Sequence, residues 1–343
     1  MASHLVCCGL ATLDVVQVVD RIPGPNEKLV AHELTATFGG PAANAAATAV
    51  ALGVRTVLVT ALGSGPVADL VRAGLVAAGV EVVDLLEGVH GASPAVSTVL
   101  VTRATGERAV VSVNATGVPD LAEAASRAAV VLEGAGALLV DGHHLAAAQA
   151  LAEAARAPVL LDGGSWKPGL ELLLRHVDHA VLSSDFAIPD DLASPADFAV
   201  PGGGALGVDR ERAADPAATR VAAVHRSMAP GGEAAPADAT PTPETPDLLD
   251  AVAAFGPRTV ARSTGPGPVR VRVTGPPVER FEILPPTVAV EDVVDTLGAG
   301  DVLHGAIAAS LARGAEIGDA IRVGVQRASE SVRHAGALGW VAG

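Results

Sequence analysis

The chain has 343 residues, of which 50% are hydrophobic and only 2% aromatic, so it can bury a substantial core of Ala, Val and Leu in one large domain or two smaller ones. Its formal net charge of −15 argues against nucleic-acid binding through a basic surface, since the only lysines are Lys28 and Lys167. The two cysteines, Cys7 and Cys8, are adjacent and cannot form a disulfide framework. Free cysteines fit a reducing compartment, and the N-terminus shows no signal-peptide pattern. We therefore expect a cytoplasmic protein that spans no membrane.

The N-terminal third of the chain combines α/β alternation with two hairpins. Strands are predicted over 4–10, 56–61 and 81–86, and helices over 41–52 and 67–78. The hairpin strands are predicted over 14–19, 28–35, 96–102 and 108–113. Because both hairpins are short and bounded by turns, we expect one small accessory sheet, with strands at about 14–36 and 96–113, that forms a lid over the edge of the main sheet.

The rest of the chain alternates strands and helices, which favours a mostly parallel sheet covered by helices on both faces. The predicted strands lie over 137–140, 159–161, 180–182, 259–262, 269–273 and 278–284. The predicted helices lie over 121–132, 145–155, 248–254, 299–312 and 316–334. The segment of about 208–245 is rich in Pro, Gly, Ala and Asp, and we expect it to be a flexible low-complexity insertion because it cannot bury enough apolar surface.

The most informative motif is D-T-L-G-A-G-D, which runs from Asp295 to Asp301. It places Gly298 and Gly300 at the N-terminus of a predicted helix, where unpaired N–H groups and the helix dipole favour an anion. A carboxylate beside a bound anion makes sense if Asp301 accepts a proton from a hydroxyl that attacks a phosphoryl group. The motif therefore predicts a phosphotransferase site, although Asp301 could instead stabilise only the helix dipole.

A second motif, F-G-G-P-A-A-N, runs from Phe38 to Asn44 and also precedes a predicted helix. Gly39 and Gly40 let a ligand approach the main chain, and the Asn44 amide offers donors and an acceptor, which suits a polyhydroxylated molecule. The chain has no G-x-x-x-x-G-K-[S/T], no H-R-D or D-F-G, and no G-x-G-x-x-G after the first strand. These absences exclude the usual P-loop and the protein-kinase core, and they weaken a dinucleotide-binding interpretation.

Together the two motifs, about 255 residues apart, resemble those of the ribokinase-like (PfkB) family of carbohydrate kinases. The resemblance covers nearly the whole chain apart from the insertion. It implies an α/β protein with a three-layer α/β/α ribokinase-like fold, a mostly parallel central sheet and a small β-sheet lid, in a single kinase domain over 1–343. It also implies ATP- and Mg²⁺-dependent phosphorylation of a hydroxyl on a small sugar or sugar derivative of the ketose or pentose type.

The resemblance further implies a role for individual residues. Asp301 would be the general base, and the amides of Gly298, Ala299 and Gly300 would form the anion hole. The implied sugar-binding residues are Asp14, Gly39, Gly40 and Asn44, with Lys167 and Arg108 as further candidates. The implied nucleotide-binding residues are Thr264, Gly265, Gly267, Thr296, Ala328 and Gly336. Asp14 could also be a plain turn residue.

The metal arrangement departs from the family pattern. Many members carry an Asn-x-x-Glu motif that organises magnesium through water, but the aligned segment here reads S-S-D-F over 183–186. Asp185 is a candidate partial substitute because its carboxylate suits Mg²⁺. His143 and His144 suggest either a metal site or ordinary polar contacts, and His304 could reach the site or lie on a helix surface.

Two rival functions remain open at this point. One is a nucleoside kinase of the same fold, which the scarcity of aromatic residues disfavours because Phe38 is the only ring available in the first lid region. The other is a catalytically silent sugar- or nucleotide-binding protein. Exposed lid strands also predict a homodimer through the lids. The sequence does not decide which sugar is used or whether a monovalent cation activates.

Overall fold

The computed structural model describes residues 3–104, 106–189, 192 and 247–342, so the predicted insertion at about 208–245 lies outside the described residues. The strands are β1 (His4–Cys8), β2 (Thr12–Val19), β3 (Glu33–Gly39), β4 (Thr56–Thr60), β5 (Glu81–Asp84), β6 (Ala95–Thr102), β7 (Arg108–Ser112), β8 (Ala135–Val140), β9 (Val159–Gly163), β10 (His179–Leu182), β11 (Thr259–Arg262), β12 (Val269–Val273) and β13 (Glu279–Ile283). The helices are α1 (Pro41–Ala51), α2 (Pro66–Ala77), α3 (Ala122–Ala128), α4 (Leu145–Ala154), α5 (Leu170–Leu174), α6 (Leu248–Ala253), α7 (Ala299–Ala312) and α8 (Ile317–Ser331).

The main sheet has nine strands in the order β13-β12-β11-β10-β9-β8-β1-β4-β5. The pairings from β11 through β5 are parallel, and β12 and β13 add an antiparallel edge. Because parallel strands point the same way, the residues that follow β1, β8, β9 and β10 meet at one edge of the sheet. The predicted mostly parallel sheet is confirmed.

Helices cover both faces of the main sheet, and alternate side chains of β1 pack against one helix layer or the other. Leu5 and Cys7 pack into one apolar cluster with α1, α2, α7 and α8, whereas Val6 and Cys8 pack into a second cluster with α3 to α6. The two-residue period of a strand produces this division. Both cysteines are free and buried, and burial raises the pKa of each thiol. They are therefore small apolar residues of the first strand, as predicted.

The two predicted hairpins form a separate four-stranded sheet in the order β3-β2-β6-β7. The predicted strand over 28–35 is wrong in its position, since β3 spans Glu33–Gly39. The register explains the difference: β2 pairs antiparallel with β3 from Thr12↔Gly39 to Val18↔Glu33, so the paired strand begins at Glu33, next to a hydrogen bond from His32 N to Val18 O. Val30, within the predicted 28–35 segment, is 85% exposed.

Two helical segments also differ from expectation. Helix α5 (Leu170–Leu174) was not predicted because five residues are too few to display a helical period. The predicted helix over 121–132 ends as an α-helix at Ala128 and continues as a 3₁₀ turn over Ala129–Leu132. The stiff side chains of Val130 and Val131 disfavour a further α-helical turn. Across the described ranges, no helix combines the length and the apolar character that crossing a membrane requires.

Candidate active site

A cavity of about 1040 Å³ lies between the small sheet and the edge of the main sheet. The small sheet contributes Asp14, the N-terminus of α1 contributes Gly40 and Asn44, and the segment that leads into α7 contributes Thr296 and Asp301. Residues from both sequence motifs therefore line one cavity, although more than 250 residues separate Gly40 from Thr296. This volume suits a small polar molecule together with part of a nucleotide.

Asp301 lies in the first turn of α7 and is partly exposed to the cavity. Asn44 Nδ2 donates a hydrogen bond of 2.7 Å to Asp301 Oδ2. Asn44 itself is buried in α1, so a fixed side chain orients the carboxylate. The other carboxylate oxygen is left for a ligand or for solvent.

The surroundings of Asp301 favour its protonated form. Burial and then the nearby Asp162 carboxylate raise the pKa of Asp301 to about 7, whereas the Asn44 hydrogen bond and His304 oppose the rise. A carboxyl group with a pKa close to neutral is suited to accept and return a proton at physiological pH.

Helix α7 begins at Gly298, whose φ of +74° is left-handed. A Cβ at this position would lie 2.4 Å from the Cβ of Ala337, so only glycine fits both the dihedral angle and the space. No described side chain caps this helix. The N–H of Ala299 donates to Thr296 O at 3.3 Å, so the amides best placed for an anion at the cavity are those of Gly298 and Gly300, which the helix dipole supports.

Helix α1 is built in the same way, with Gly40 as its N-cap at a φ of +96°. A Cβ on Gly40 would lie 2.5 Å from the carbonyl oxygen of Leu10, so glycine permits the close approach of α1 to the segment after β1. Asp141, which follows β8, accepts hydrogen bonds from the backbone N–H groups of Leu10 (2.8 Å), Ala42 (3.1 Å) and His143 (2.9 Å). This buried carboxylate fixes the start of α1, and hence Asn44, relative to the sheet.

The small sheet supplies Asp14, which is half-buried on β2 and accepts a 2.6 Å hydrogen bond from the Thr12 hydroxyl. A Cβ on Gly39 would clash with the Asp14 carboxyl group, so the glycine makes room for this side chain. Asp14 is part of a strand rather than of a turn. Its position on the cavity wall is consistent with hydrogen bonding to a hydroxylated ligand.

Two basic candidates lie in different parts of the site. Arg108, exposed at the start of β7, donates from Nη1 to Thr296 Oγ1 at 3.4 Å and so connects the small sheet to the motif before α7. Lys167 follows β9 and lies beside Ser165. Burial lowers the pKa of Lys167, while the neighbouring Asp141 and Asp162 carboxylates oppose that shift. Lys167 is therefore close to the acidic edge of the main sheet.

The nucleotide candidates divide into two groups. Thr296 and Gly336 line the cavity, and Asp295 joins their segments by accepting a 2.8 Å hydrogen bond from Gly336 N. Thr264, Gly265 and Gly267 form a separate turn after β11, in which Gly267 N donates to Thr264 O. Ala328 packs against the apolar core from α8. The structure does not bring these last four residues into the cavity lining.

Metal candidates are sparse. Within the described ranges, no group of three or more His, Cys, Asp or Glu side chains could hold a metal ion. Asp185 is exposed after β10 and accepts a 3.2 Å hydrogen bond from the Ser184 hydroxyl. His143 lines the cavity, whereas His144 is buried as the N-cap residue of α4. Asp185 is not part of the cavity lining, so it could serve only as one carboxylate beside water and the substrate phosphates, which commonly complete the coordination of Mg²⁺.

Sequence analysis missed two carboxylates of the site, Asp141 and Asp162. Both are buried. Asp141 directly follows β8, and Asp162 is the penultimate residue of β9. The available signal was their position, since polar residues at the carboxyl ends of parallel strands converge at the ligand-binding edge. Asp162 also explains His304, which lies inside the protein and not on a helix surface, with Nδ1 3.3 Å from Asp162 Oδ2.

Comparison with solved structures shows similar folds at low sequence identity. Thermotoga maritima ribokinase aligns with a TM-score of 0.66 and 18% identity, covering 98% of this chain and 95% of that one. The Arabidopsis thaliana ribokinase complexed with ribose and ATP aligns with a TM-score of 0.64 and 20% identity, covering 99% and 96%. A microbiome-derived acarbose kinase aligns with a TM-score of 0.68 and 19% identity, covering 97% and 93%. The ribokinase-like fold is confirmed.

No curated protein matches the chain significantly. A sequence model of the pfkB family of carbohydrate kinases matches residues 2–185 and 236–339, which is most of the chain. The matched ranges contain both glycine motifs, the Asn44–Asp301 contact and the carboxylates at the edge of the sheet. This protein belongs to the pfkB family and is a carbohydrate kinase.

Proposed function

We propose that this kinase transfers the γ-phosphoryl group of ATP to a hydroxyl of a small neutral sugar, with Asp301 as the general base. The observation that carries the proposal is the placement of one carboxylate, with a pKa near 7, in the first turn of a helix that no described side chain caps. A purely ligand-binding protein has little use for a carboxylate beside an anion. The silent-binder alternative is therefore disfavoured.

The proposed reaction uses the two helix N-termini together. Asp14 and Asn44 hold the sugar by hydrogen bonds, and Asp301 takes the proton from the acceptor hydroxyl as its oxygen bonds to the γ-phosphorus. The bond between that phosphorus and the β–γ bridging oxygen breaks, and ADP leaves. The amides of Gly298, Ala299 and Gly300 stabilise charge on the transferring group. Asp185 is the candidate protein ligand for Mg²⁺, which when bound would help to neutralise the phosphates.

The small sheet acts as the lid in this proposal. Asp14 on β2 would contact the sugar from the lid. The hydrogen bond from Arg108 to Thr296 would join the lid to the proposed phosphate-binding segment. Closure of such a lid excludes water and limits wasteful hydrolysis of ATP. The turn at Thr264, Gly265 and Gly267, together with Ala328 and Gly336, would then border the nucleotide.

Charge supports a neutral acceptor. The acidic residues that line the described cavity are Asp14, Glu33, Glu107, Asp295 and Asp301, and the arginine of this lining is Arg103. Arg103 Nη2 lies 3.4 Å from Asp20 Oδ1, so this arginine is already paired with a carboxylate. At the proposed sugar end of the cavity, a sugar acid or sugar phosphate would meet repulsion from Asp14 and Asp301, so a neutral ketose or pentose is the better acceptor.

The position of Phe38 argues against a nucleoside acceptor. Phe38 lines the cavity, and it also packs against α2, where a Cβ added to Gly74 would lie 2.9 Å from its Cδ1. A base-stacking residue needs a free ring face toward the ligand. Phe38 is the one aromatic residue in the described cavity lining and is held against α2, so it offers a base only a restricted surface, which supports the sugar as the acceptor.

The predicted homodimer remains a proposal. Strand β7 is an edge of the small sheet, and Val111 on it is 74% exposed. Pairing of two small sheets would cover that edge. Light scattering at micromolar concentration should give the mass of a dimer, and a monomeric mass would contradict the proposal.

The function is tested by release of ADP with Mg-ATP across neutral ketoses, neutral pentoses, sugar acids, sugar phosphates and nucleosides. We expect turnover with at least one neutral sugar and the lowest turnover with the anionic acceptors. Asp301→Asn serves as the control that the released ADP comes from this site. Measurable sugar binding without turnover of any acceptor would instead establish the silent binder.

A further inference from the structure

The side of the small sheet that faces the cavity carries a row of four polar side chains. Strand pairing places Asp14 of β2 beside Thr37 of β3 and beside Ser97 of β6, and it places Ser97 beside Ser112 of β7. All four residues line the cavity. Because paired residues point to the same face and neighbouring strands lie ~4.8 Å apart, the row is a continuous polar wall across the sheet.

This polar row lies at the end of the small sheet that is joined to α1. Strand β3 ends at Gly39, where a Cβ would meet the Asp14 carboxyl group, and the next residue, Gly40, caps α1. The same helix carries Asn44, whose amide donates to Asp301. A sugar held between Asp14 and Asn44 would therefore present one hydroxyl to Asp301 and other hydroxyls to the polar row.

Ser97 and Ser112 form a hydroxyl pair with one hydrogen to spare. Ser97 is 7% exposed and donates to Ser112 Oγ at 3.1 Å, and the backbone N–H of Asn114 donates to the same oxygen at 3.1 Å. Ser112 Oγ thus uses both lone pairs as an acceptor, and no described residue accepts its O–H. If the two serines exchange roles, the O–H of Ser97 is left over instead. In either arrangement, one hydroxyl hydrogen remains for a ligand in the cavity.

The next row on the same face of the sheet is mostly apolar. Two residues further along β2, Val16 pairs with Val99 of β6, which pairs with Val110 of β7. Val16 and Val110 line the cavity, and Val99 is buried. Thr35, paired with Val16 on the edge strand, is the residue of this row that bears a hydroxyl. The small sheet can therefore hydrogen-bond a ligand one sugar wide, whereas a second sugar lying along the strands would meet valines.

We propose that Ser97 and Ser112 determine the acceptor specificity: together with Asp14 they bind hydroxyls on different sides of one sugar ring, which makes the acceptor a monosaccharide. The inference deepens the proposed function and rests on it, because Asp14 is there a sugar-binding carboxylate. Asp14 accepts from one sugar O–H, and the spare serine hydrogen donates to the oxygen of another hydroxyl. Two strand spacings separate Asp14 from Ser112, so the two contacts select different hydroxyls.

The test is a cycle that combines an enzyme variant with substrate analogues. Both serines are replaced, as S97A with S112A, since a single replacement would leave the other hydroxyl free to take over. For the best monosaccharide acceptor, the double variant should raise KM roughly 2–12-fold, the equivalent of one neutral hydrogen bond, and leave kcat nearly unchanged. One monodeoxy analogue of that sugar should show the same loss with the wild type and no further loss with the double variant, because the hydroxyl that the serines bind is already absent.

The matched control is Thr98→Val. Thr98 is exposed on the opposite face of β6 and does not line the cavity, so its replacement should leave KM unchanged. Ser112→Thr keeps the hydroxyl and should retain most of the wild-type affinity. If every monodeoxy analogue loses the same further factor in the double variant as the parent sugar does, the serines bind no hydroxyl. The inference is then overturned, although turnover itself still supports the proposed function.

A second measurement compares acceptors of different size. For neutral disaccharides, kcat/KM should be at least ~10-fold lower than for their parent monosaccharides, since a hydroxyl buried against Val16 or Val110 loses its partners. Equal kcat/KM values would overturn the monosaccharide assignment. The same cycle can be followed by calorimetric binding of the sugars. Absence of any turnover would overturn the proposed function, while the binding data would still decide whether the serines contact the sugar.

Discussion

Asp141 and Asp301 are both carboxylates at the ligand-binding edge of the main sheet, and each lies beside a helix N-terminus. Asp141 accepts hydrogen bonds from the backbone N–H groups of Leu10, Ala42 and His143 and is only 2% exposed. Asp301 receives the Asn44 amide and otherwise opens onto the cavity. The comparison suggests that the number of surrounding donors separates a structural clamp, Asp141, from the proposed base, Asp301.

The largest expected difference between the two carboxylates is in rate. Asp301→Asn keeps the shape of the side chain but cannot accept the proton, so kcat should fall by roughly 10²–10⁴, the usual contribution of general base catalysis. Sugar binding, measured by calorimetry, should change little. A variant that keeps more than about a tenth of wild-type kcat would remove Asp301 from its assigned role.

The second difference is in stability as a function of pH. The folded-state pKa of Asp301, about 7, lies above the ordinary value, so ionisation of this group opposes folding once the pH exceeds the unfolded-state pKa. Below about pH 4 the carboxyl group is protonated in both states and has no such effect. Denaturant unfolding should show Asp301→Asn more stable than wild type above about pH 7, by at most ~4 kcal/mol, with the difference vanishing toward pH 4. A pH-independent difference would contradict the raised pKa.

Asp141→Asn should have the opposite effect on stability. The asparagine side chain has one acceptor oxygen, whereas the carboxylate serves three backbone donors, so at least one buried N–H loses its partner. The free energy of unfolding should fall by about 1–3 kcal/mol at neutral pH, as measured by denaturant titration beside Asp301→Asn. Equal stability of Asp141→Asn and wild type would mean that Asp141 does not fix the start of α1.

The smallest expected effect on stability distinguishes Gly298 from Gly300, the two glycines of the proposed anion-binding loop. Gly298→Ala introduces a Cβ at a left-handed φ and against Ala337, and it should cost roughly 1–2 kcal/mol of stability. Gly300→Ala is the matched control, because a Cβ there meets no atom within 4 Å and alanine favours the helix. Gly300→Ala should therefore unfold no more easily than wild type yet lower kcat, since its methyl group enters the path of the anion. Full activity of Gly300→Ala would show that the phosphoryl group binds elsewhere.

Much of the fold could be predicted from the sequence because its signals are local. Strands β11 and β12 and helix α7 have their predicted bounds, since glycine, proline and hydrophobic periods delimit them. Strand β3 could not be placed, because its bounds depend on which residues of β2 lie opposite it. That register is a tertiary property that a local sequence pattern does not report.

The site was predictable only in part, for the same reason. The two glycine motifs indicate helix N-termini by themselves, and the structure places both on one cavity. The hydrogen bond from Asn44 to Asp301 joins residues 257 positions apart, and no local pattern reports it. The pairing of His304 with Asp162 likewise depends on how α7 packs against β9. The sequence motifs indicated candidate residues such as Asn44 and Asp301, but not the contacts that these residues make in the folded protein.

The most direct test is a crystal structure with a neutral sugar that the enzyme phosphorylates and a non-hydrolysable ATP analogue. The account predicts one sugar hydroxyl within ~2.6–3.2 Å of an Asp301 oxygen, in line with a γ-phosphate that faces the amides of Gly298 to Gly300. A complex in which the hydroxyl nearest the γ-phosphate lies against another side chain, with Asp301 bonded to Asn44 alone, would contradict it.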